Sequence, residues 1–197
     1  FEHHDLIVLS NYPKTLYLNG KGKAYKSYWG DKKEIEIKDL SKYKYQKFKI
    51  NEAIQLGINE IWYKGKVDGK IVWLSSKSLT NKKEKKTSLL GKINNNSSII
   101  YNVDFSGQST VSKDYYDRVF YIKKEVTFNG DRLFLISERP SSEEGIIGYI
   151  HEKDLTYYTH TSVDKKKKTF YIKGEGPAYN RAWGGKKNLV IKDLKKS

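Results

Sequence analysis

The chain has 197 residues, of which 38 are Lys or Arg and 23 are Asp or Glu, giving a formal net charge of +15. It contains no Cys, which excludes a disulfide framework and a thiolate metal site. No apolar run reaches the ~18–20 residues that a membrane-spanning helix needs. An aromatic content of 14% argues against disorder, and the excess of positive charge predicts an acidic partner or surface.

Short runs of alternating hydrophobic and polar residues, such as Ile35–Lys38 and Phe48–Ile50, dominate the chain and predict β-strands rather than helices. Two pairs of such runs are separated by only two residues: 61–67 and 70–74 by Asp68-Gly69, and 126–128 and 131–134 by Asn129-Gly130. Both dipeptides tolerate the positive φ angles of a type I′ turn, so each pair predicts a hairpin. The predicted fold class is therefore all-β, built of small antiparallel β-barrels.

Residues 15–42 are repeated at 169–196, an offset of 154, and 15 of the 28 aligned positions are identical. The identical pairs include Gly20/Gly174, Gly22/Gly176, Ala24/Ala178, Tyr25/Tyr179, Trp29/Trp183, Gly30/Gly184 and Leu40/Leu194. Repetition at a fixed spacing indicates a tandem array, of which we expect this chain to be a segment. A unit that is useful in many copies favours binding over catalysis.

Lysine-rich stretches predict the boundaries between the repeated units. We expect the tail of a preceding module at 1–12, a basic module at 13–79, a Lys-rich linker at 80–87, a second module at 88–156, a second Lys-rich linker at 157–168 and the start of a further module at 169–197. Residues 2–6 are similar to 151–155, so two kinds of module alternate and a pair of modules is the repeat.

The two complete modules end alike, with Gly69–Leu74 in the first and Gly145–Ile150 in the second. Together with Tyr25, Trp29-Gly30 and the strand pattern, these endings resemble the GW modules of Gram-positive surface proteins. The paired arrangement is most similar to the cell-wall-binding repeats of staphylococcal bifunctional autolysins, and the resemblance covers nearly the whole chain. It departs from the family at the Gly-Trp dipeptide itself, which reads Val72-Trp73 in the first module and Gly148-Tyr149 in the second.

The resemblance implies a tandem series of Src-homology-3-like (SH3-like) β-barrels that carry no catalysis themselves. It implies that the repeats hold a peptidoglycan hydrolase, an N-acetylmuramoyl-L-alanine amidase or endo-β-N-acetylglucosaminidase, on the wall through lipoteichoic acid or a related anionic polymer. The parent protein would then be secreted and attached non-covalently to the bacterial cell wall, where peptidoglycan is a further possible partner. The family also allows a second hypothesis, an adhesin module for heparin, fibronectin or vitronectin of the host matrix.

Charge is segregated between the modules. Residues 13–79 carry 15 Lys against 7 acidic residues (+8), residues 88–156 carry 8 Lys or Arg against 10 (−2), and residues 165–197 carry 11 against 2 (+9). A uniformly solubilising surface would not segregate in this way. The pattern predicts a polyanion that binds mainly to alternate modules.

A flexible polymer of phosphodiesters needs cationic side chains for its phosphates and aromatic faces or amides for the groups between them. Both copies of the repeat supply these residue types, and the predicted ligand-binding residues are Tyr25, Trp29, Lys32, Lys33, Tyr179, Arg181, Trp183, Lys186 and Lys187. The alternative is that the aromatic rings fill their own core and the lysines form a solvated turn. Trp62 and Trp73 flank a tight hairpin and are assigned to the core.

No arrangement of nucleophile and base, paired carboxylates or metal ligands is present in the sequence. His151-Glu152 lacks the second His of a zinc-site motif, and Gly20-Lys21-Gly22 lacks the context of a phosphate loop. We therefore expect no catalytic residue, metal or cofactor in this segment. Nucleic-acid binding is a third hypothesis, because small barrels with aromatic residues and Lys can stack bases, but the array architecture and the near absence of Arg disfavour it.

Overall fold

The structure is a computed structural model that describes residues 5–159 and 165–196. The eighteen strands of the described residues are β1 (Leu6–Val8), β2 (Thr15–Leu18), β3 (Ala24–Tyr25), β4 (Ile35–Ile37), β5 (Lys47–Lys49), β6 (Glu52–Leu56), β7 (Glu60–Val67), β8 (Lys70–Ser75), β9 (Leu79–Thr80), β10 (Lys82–Ile93), β11 (Ile99–Tyr101), β12 (Gln108–Val111), β13 (Val119–Phe128), β14 (Asp131–Ser137), β15 (Ile146–His151), β16 (Leu155–Thr159), β17 (Ala178–Tyr179) and β18 (Leu189–Ile191). The same residues also form short 3-10 helices at Lys32–Glu34, Ser41–Tyr43, Ser76–Ser78, Ser112–Asp114, Glu152–Asp154, Lys186–Asn188 and Leu194–Lys196. The predicted all-β class, with tandem SH3-like antiparallel barrels, is confirmed.

The chain divides into two compact units. Of the described residues, the first unit contains 5–83, 104–107 and 127–131. Its strands form one sheet in the order β1-β6-β7-β8-β3-β4 and a smaller sheet in the order β5-β2-β9. Alternate residues of these strands face a common core, which includes the buried Leu18, Phe48 and Leu74.

The predicted hairpin of the first unit is confirmed. Strands β7 and β8 pair from Trp62 opposite Ser75 to Val67 opposite Lys70. Asp68 and Gly69 join them with φ angles of 53° and 75°, as a type I′ turn requires. The core assignment of Trp62 and Trp73 is also confirmed, since both side chains are buried.

Of the described residues, the second unit contains 84–103, 108–126, 132–159 and 165–196. Its main sheet has the order β12-β11-β15-β14-β13-β10-β16, and β17 and β18 form a separate pair. Phe120, Phe134 and Ile150 are fully buried in its core. Strands β13 and β14 are neighbours on either side of Asn129-Gly130, whose φ angles are 43° and 86°, so the second predicted hairpin is confirmed as well.

The two complete modules make the same unusual corner where a strand enters the sheet. In the first, Tyr45 has a φ of 71° and its N–H donates to the Leu18 carbonyl at 2.8 Å. In the second, Asp117 has a φ of 57° and its N–H donates to the Ile93 carbonyl at 3.0 Å. Positive φ is uncommon for residues other than Gly. We call these positions the Tyr45 corner and the Asp117 corner.

Residues 104–107 and 127–131 belong to the first unit, although the sequence assigns them to the second module. An aromatic cluster explains this difference. Phe105 and Phe128 are buried, with ring centroids 5.1 Å apart, and the centroid of the Tyr45 ring lies 5.6 Å from the first and 4.9 Å from the second. Burying three large rings in one cluster outweighs the change of composition from which the boundary was predicted.

The lysine-rich segment that begins at Lys82 is regular structure. Strand β10 is a single strand of 12 residues from Lys82 to Ile93. The Thr87 hydroxyl donates to the Ile122 carbonyl at 2.8 Å. The second lysine-rich segment differs, since β16 continues through Thr159 and residues 165–168 lie in neither strand nor helix; residues 160–164 lie outside the described part.

Candidate functional site

The first copy of the repeat divides its predicted site residues between the core and the surface. Tyr25 is half-buried in β3, opposite Trp73, and its ring meets that of Trp62 edge-on with centroids 5.6 Å apart. Trp29 follows with a φ of 81° and is 56% exposed. Tyr25 is therefore held by packing, whereas Trp29 presents much of its ring to solvent.

Lys32 and Lys33 lie in a 3-10 helix whose first turn is capped by Asp31. The Asp31 carboxylate accepts a hydrogen bond from the Lys33 N–H at 3.0 Å. Both lysine side chains are exposed. The cap fixes the backbone of this turn. The two lysine side chains therefore extend into solvent from a defined position, three and four residues after Trp29 in the sequence.

The Gly that follows each repeated Trp has a steric explanation. A Cβ at Gly30 would lie 3.0 Å from the Trp62 ring and 3.3 Å from the Tyr25 ring, and a Cβ at Gly184 would lie 2.8 Å from the Tyr179 ring. The repeated Trp-Gly thus turns the chain closely over an aromatic side chain. This is a packing role, separate from any contact with a ligand.

The second copy of the repeat is engaged by other residues of the second unit. The Arg181 guanidinium lies 5.1 Å from the centre of the Tyr121 ring, and it donates to the carbonyls of Asn180 and Glu138. Trp183 meets Tyr158 edge-on at 4.9 Å and is 39% exposed. Arg181 and Trp183, which the sequence assigned to a ligand, thus already contact other residues of the second unit.

The lysines of the second copy differ from each other. The Lys187 ammonium donates to the carbonyls of Lys113 and Asp114 at 3.2 and 3.0 Å. The Lys186 side chain is exposed, while its backbone N–H donates to the Asp117 carboxylate at 3.2 Å. Lys92 places its ammonium 4.5 Å from the centre of the Trp183 ring, which adds a cation-π contact.

Two further contacts fix the second copy at the Asp117 corner. The side-chain oxygen of the buried Asn188 accepts a hydrogen bond from the Val119 N–H at 2.8 Å. A Cβ at Gly185 would lie 1.8 Å from the Asp117 carbonyl oxygen, so only Gly allows this approach. Neither residue was singled out from the sequence. In the first copy the aligned residues are Asp31 and Glu34, and this difference between copies was the available signal.

The dipeptide positions that depart from Gly-Trp are both structural. A Cβ at Gly148 would lie 2.3 Å from the Tyr101 carbonyl oxygen, whereas Val72 is accommodated without exposure in the first unit. Tyr149 is 2% exposed, and burial raises its pKa to about 12. Each module therefore keeps a buried aromatic side chain at this position, Trp73 in β8 and Tyr149 in β15. Neither ring is available as a binding surface.

Three more lysines, which sequence reasoning missed, surround a cavity of the first unit: Lys47, Lys49 and Lys66. The available signal was the alternation of Lys and buried Phe in Lys47-Phe48-Lys49, which places both ammonium groups on one side of β5. Among the described residues, His, Cys, Asp and Glu form no group of three or more that could hold a metal ion. None of the helices in the described ranges is long and apolar enough to cross a membrane.

The profile of the family described as the GW (Gly-Tryp) dipeptide domain matches residues 10–80 and again residues 82–156. The chain belongs to this family. Among curated proteins, no sequence matches the chain. A crystal structure of a Listeria monocytogenes protein assigned as an autolysin is similar to 96% of this chain and 79% of its own, at 13% identity and a TM-score of 0.38.

Proposed function

We propose that the chain is a non-catalytic targeting segment that binds lipoteichoic acid, or a related anionic polymer, of the bacterial cell wall. Its parent would be a secreted peptidoglycan hydrolase held on the wall without a covalent bond. Membership of the GW family supports a role in attachment to the cell wall. The observation that carries the choice of ligand is the segregation of charge, +8 over residues 13–79 against −2 over residues 88–156.

The geometry supports the first unit as the main binding surface. Trp29, Lys32 and Lys33 expose their side chains, whereas Arg181 and Lys187 of the second copy already donate hydrogen bonds to carbonyl groups. A polyanion would have to displace those bonds before it could use the second copy. The Tyr25 ring supports this surface from below rather than contacting the polymer.

Binding of the full chain to purified lipoteichoic acid, measured by calorimetry over a series of NaCl concentrations, tests the proposal. Attraction between exposed charges is screened beyond ~8 Å at physiological salt, so we expect the affinity to fall steeply as salt rises. The double variant Lys32→Glu/Lys33→Glu should weaken binding. Its matched control, Lys113→Glu/Lys153→Glu, makes the same charge change at exposed lysines of the second unit and should weaken it less.

Two results would contradict the proposal. Affinity without salt dependence would point to uncharged wall sugars or peptides as the ligand. Binding to heparin but not to lipoteichoic acid would favour an adhesin for host polyanions.

Trp29→Ala should reduce affinity while circular dichroism stays unchanged, because the ring is more than half exposed. The segment should release no soluble muropeptides from purified walls above a heat-inactivated control.

A further inference from the structure

A concave site in the first unit lies apart from the repeated Trp-Gly loop. It is a cavity of about 350 Å³ between β5 and β7, lined by Lys47, Lys49, Ile50, Asn51, Gly65 and Lys66. Gly65 forms one wall with its backbone: a Cβ there would lie 2.4 Å from the Lys49 carbonyl oxygen and 2.7 Å from the Phe48 ring. The two strands therefore leave no room for a side chain at position 65, and Lys47, Lys49 and Lys66 line the depression.

The positive charge at this cavity is not neutralised by the protein. Lys47, Lys49 and Lys66 are exposed, and no carboxylate of the described residues lies within 4 Å of their ammonium groups. The nearby Glu52 is paired with Lys64 at 3.5 Å. Three like charges held around one depression repel each other, and an anion that enters it removes that repulsion.

The remaining lining residues suit a chain of phosphodiesters joined by a short polyol. Lys47 and Lys49 are two residues apart on one strand, which separates them by ~7 Å, a distance that glycerol between two phosphates can span. The exposed Asn51 offers its side-chain amide to a hydroxyl group. The backbone carbonyl of Asn51 accepts a 2.9 Å hydrogen bond from the Tyr12 hydroxyl, which fixes the chain at this point. Ile50, which is 5% exposed, is the apolar residue of the cavity lining.

The second unit lacks this site at the equivalent place. Counting from the two corners, Val119 and Tyr121 stand where the first unit has Lys47 and Lys49. On the neighbouring strand, Ile136 pairs with Gly148 as Gly65 pairs with Val72, so a buried Ile replaces the Gly. The Arg181 guanidinium covers Tyr121. Of the two complete modules, whose residues 13–79 and 88–156 are all described, the basic one alone combines an open wall with three lysines, which agrees with the segregation of charge.

We propose that this cavity, bordered by Lys47, Lys49, Asn51 and Lys66, is a binding site for the polyol-phosphate chain of an anionic wall polymer. The inference rests on the proposed function and gives it a second contact point, distinct from Trp29 and Lys32. Two separate contact points on one module raise the apparent affinity of a long polymer through effective concentration.

A pair of single substitutions in the full chain tests the site. Asn51→Asp puts a carboxylate into the cavity, and Asn59→Asp makes the same change at an exposed loop position of the same unit. With deacylated lipoteichoic acid as the probe, we expect Asn51→Asp to lower the affinity about tenfold and Asn59→Asp less than about twofold, because repulsion falls with distance. Equal effects would overturn the site.

A second comparison removes charge instead of adding it. Lys47→Ala/Lys49→Ala/Lys66→Ala should weaken binding by more than Lys21→Ala/Lys38→Ala/Lys77→Ala, which lowers the net charge of the same unit equally. If the unaltered chain does not bind the probe, the proposed function fails. If it binds and both triple variants lose the same affinity, the function stands and the cavity is excluded. Displacement by inorganic phosphate at equal phosphate concentration would contradict the argument from phosphate spacing.

Discussion

The Tyr45 corner and the Asp117 corner occupy the same place in their modules, yet they bind the chain that packs against them in different ways. At the Tyr45 corner the contacts are rings, from Phe105 and Phe128. At the Asp117 corner they are hydrogen bonds and a glycine, from Asn188, Lys186 and Gly185. The positive φ and the N–H to carbonyl hydrogen bond are common to both corners, whereas the groups that pack against them differ.

The comparison indicates that the corner is a general attachment point whose chemistry each module sets separately. At the first corner, the hydroxyl of Tyr45 donates to the Asp131 carboxylate at 2.9 Å, and Lys44 pairs with the same carboxylate at 2.6 Å. Polar contacts thus surround an apolar centre there. At the second corner the centre itself is polar, which predicts a smaller response to truncation of a side chain.

The largest effect is expected at the apolar corner. Phe105→Ala removes a side chain that is 2% exposed and leaves a cavity beside Tyr45 and Phe128, which should lower the free energy of unfolding of the first unit by about 3 kcal/mol. Hydrogen exchange of first-unit amides under native conditions measures it. Ile58→Ala, at a position of the same unit that is 89% exposed, should change it by less than about 0.5 kcal/mol. A similar loss in both variants would show that the ring cluster contributes little.

A smaller effect is expected at the polar corner. Asn188→Ala leaves the buried Val119 N–H without its acceptor, at a cost of about 2 kcal/mol. The Val119 amide should then exchange at least tenfold faster with deuterium. Asn188→Asp keeps an oxygen at the same position and should retain most of the protection. If Val119 stays protected in the Ala variant, the hydrogen bond does not hold this corner.

The smallest effect is expected at the second dipeptide position, where Tyr149 in β15 of the second unit corresponds to Trp73 in β8 of the first. The pKa of Tyr149 is raised from 10.0 to about 12, first by burial and then by the charge of Glu84, so the fold favours the neutral phenol. Its contribution to stability is complete below pH 10 and is lost as the pH rises from about 10 to 12, by up to about 2 kcal/mol. Urea unfolding at several alkaline pH values should give a flatter pH dependence for Tyr149→Phe than for the unaltered chain. Equal slopes would contradict the assignment.

The hairpins were predictable from sequence because their turns depend on local backbone preference, and Asp68-Gly69 supplies its own positive φ angles. The corners were not, because nothing local indicates a positive φ at Tyr45, and the rings that pack against this residue, Phe105 and Phe128, are far away in sequence. For Trp29 the sequence left two alternatives, an exposed ring that meets a ligand and a ring in the core, and the structure shows the residue exposed. The contacts of Arg181 could not be foreseen, since they depend on which residues fold against it.

The pairing of strand β10 should protect the lysines at its start from proteolysis. Four of the five residues from Lys82 to Lys86 are lysines, which makes the segment rich in trypsin sites. Trypsin needs an extended stretch free to enter its cleft, and here the strand would first have to detach from its neighbour β13, to which Glu84 is tied by its pairing with Lys124 at 3.8 Å. The lysines at 165–168 lie outside any strand or helix. Brief digestion should therefore cut first after these residues and leave one large fragment in which both complete modules remain joined.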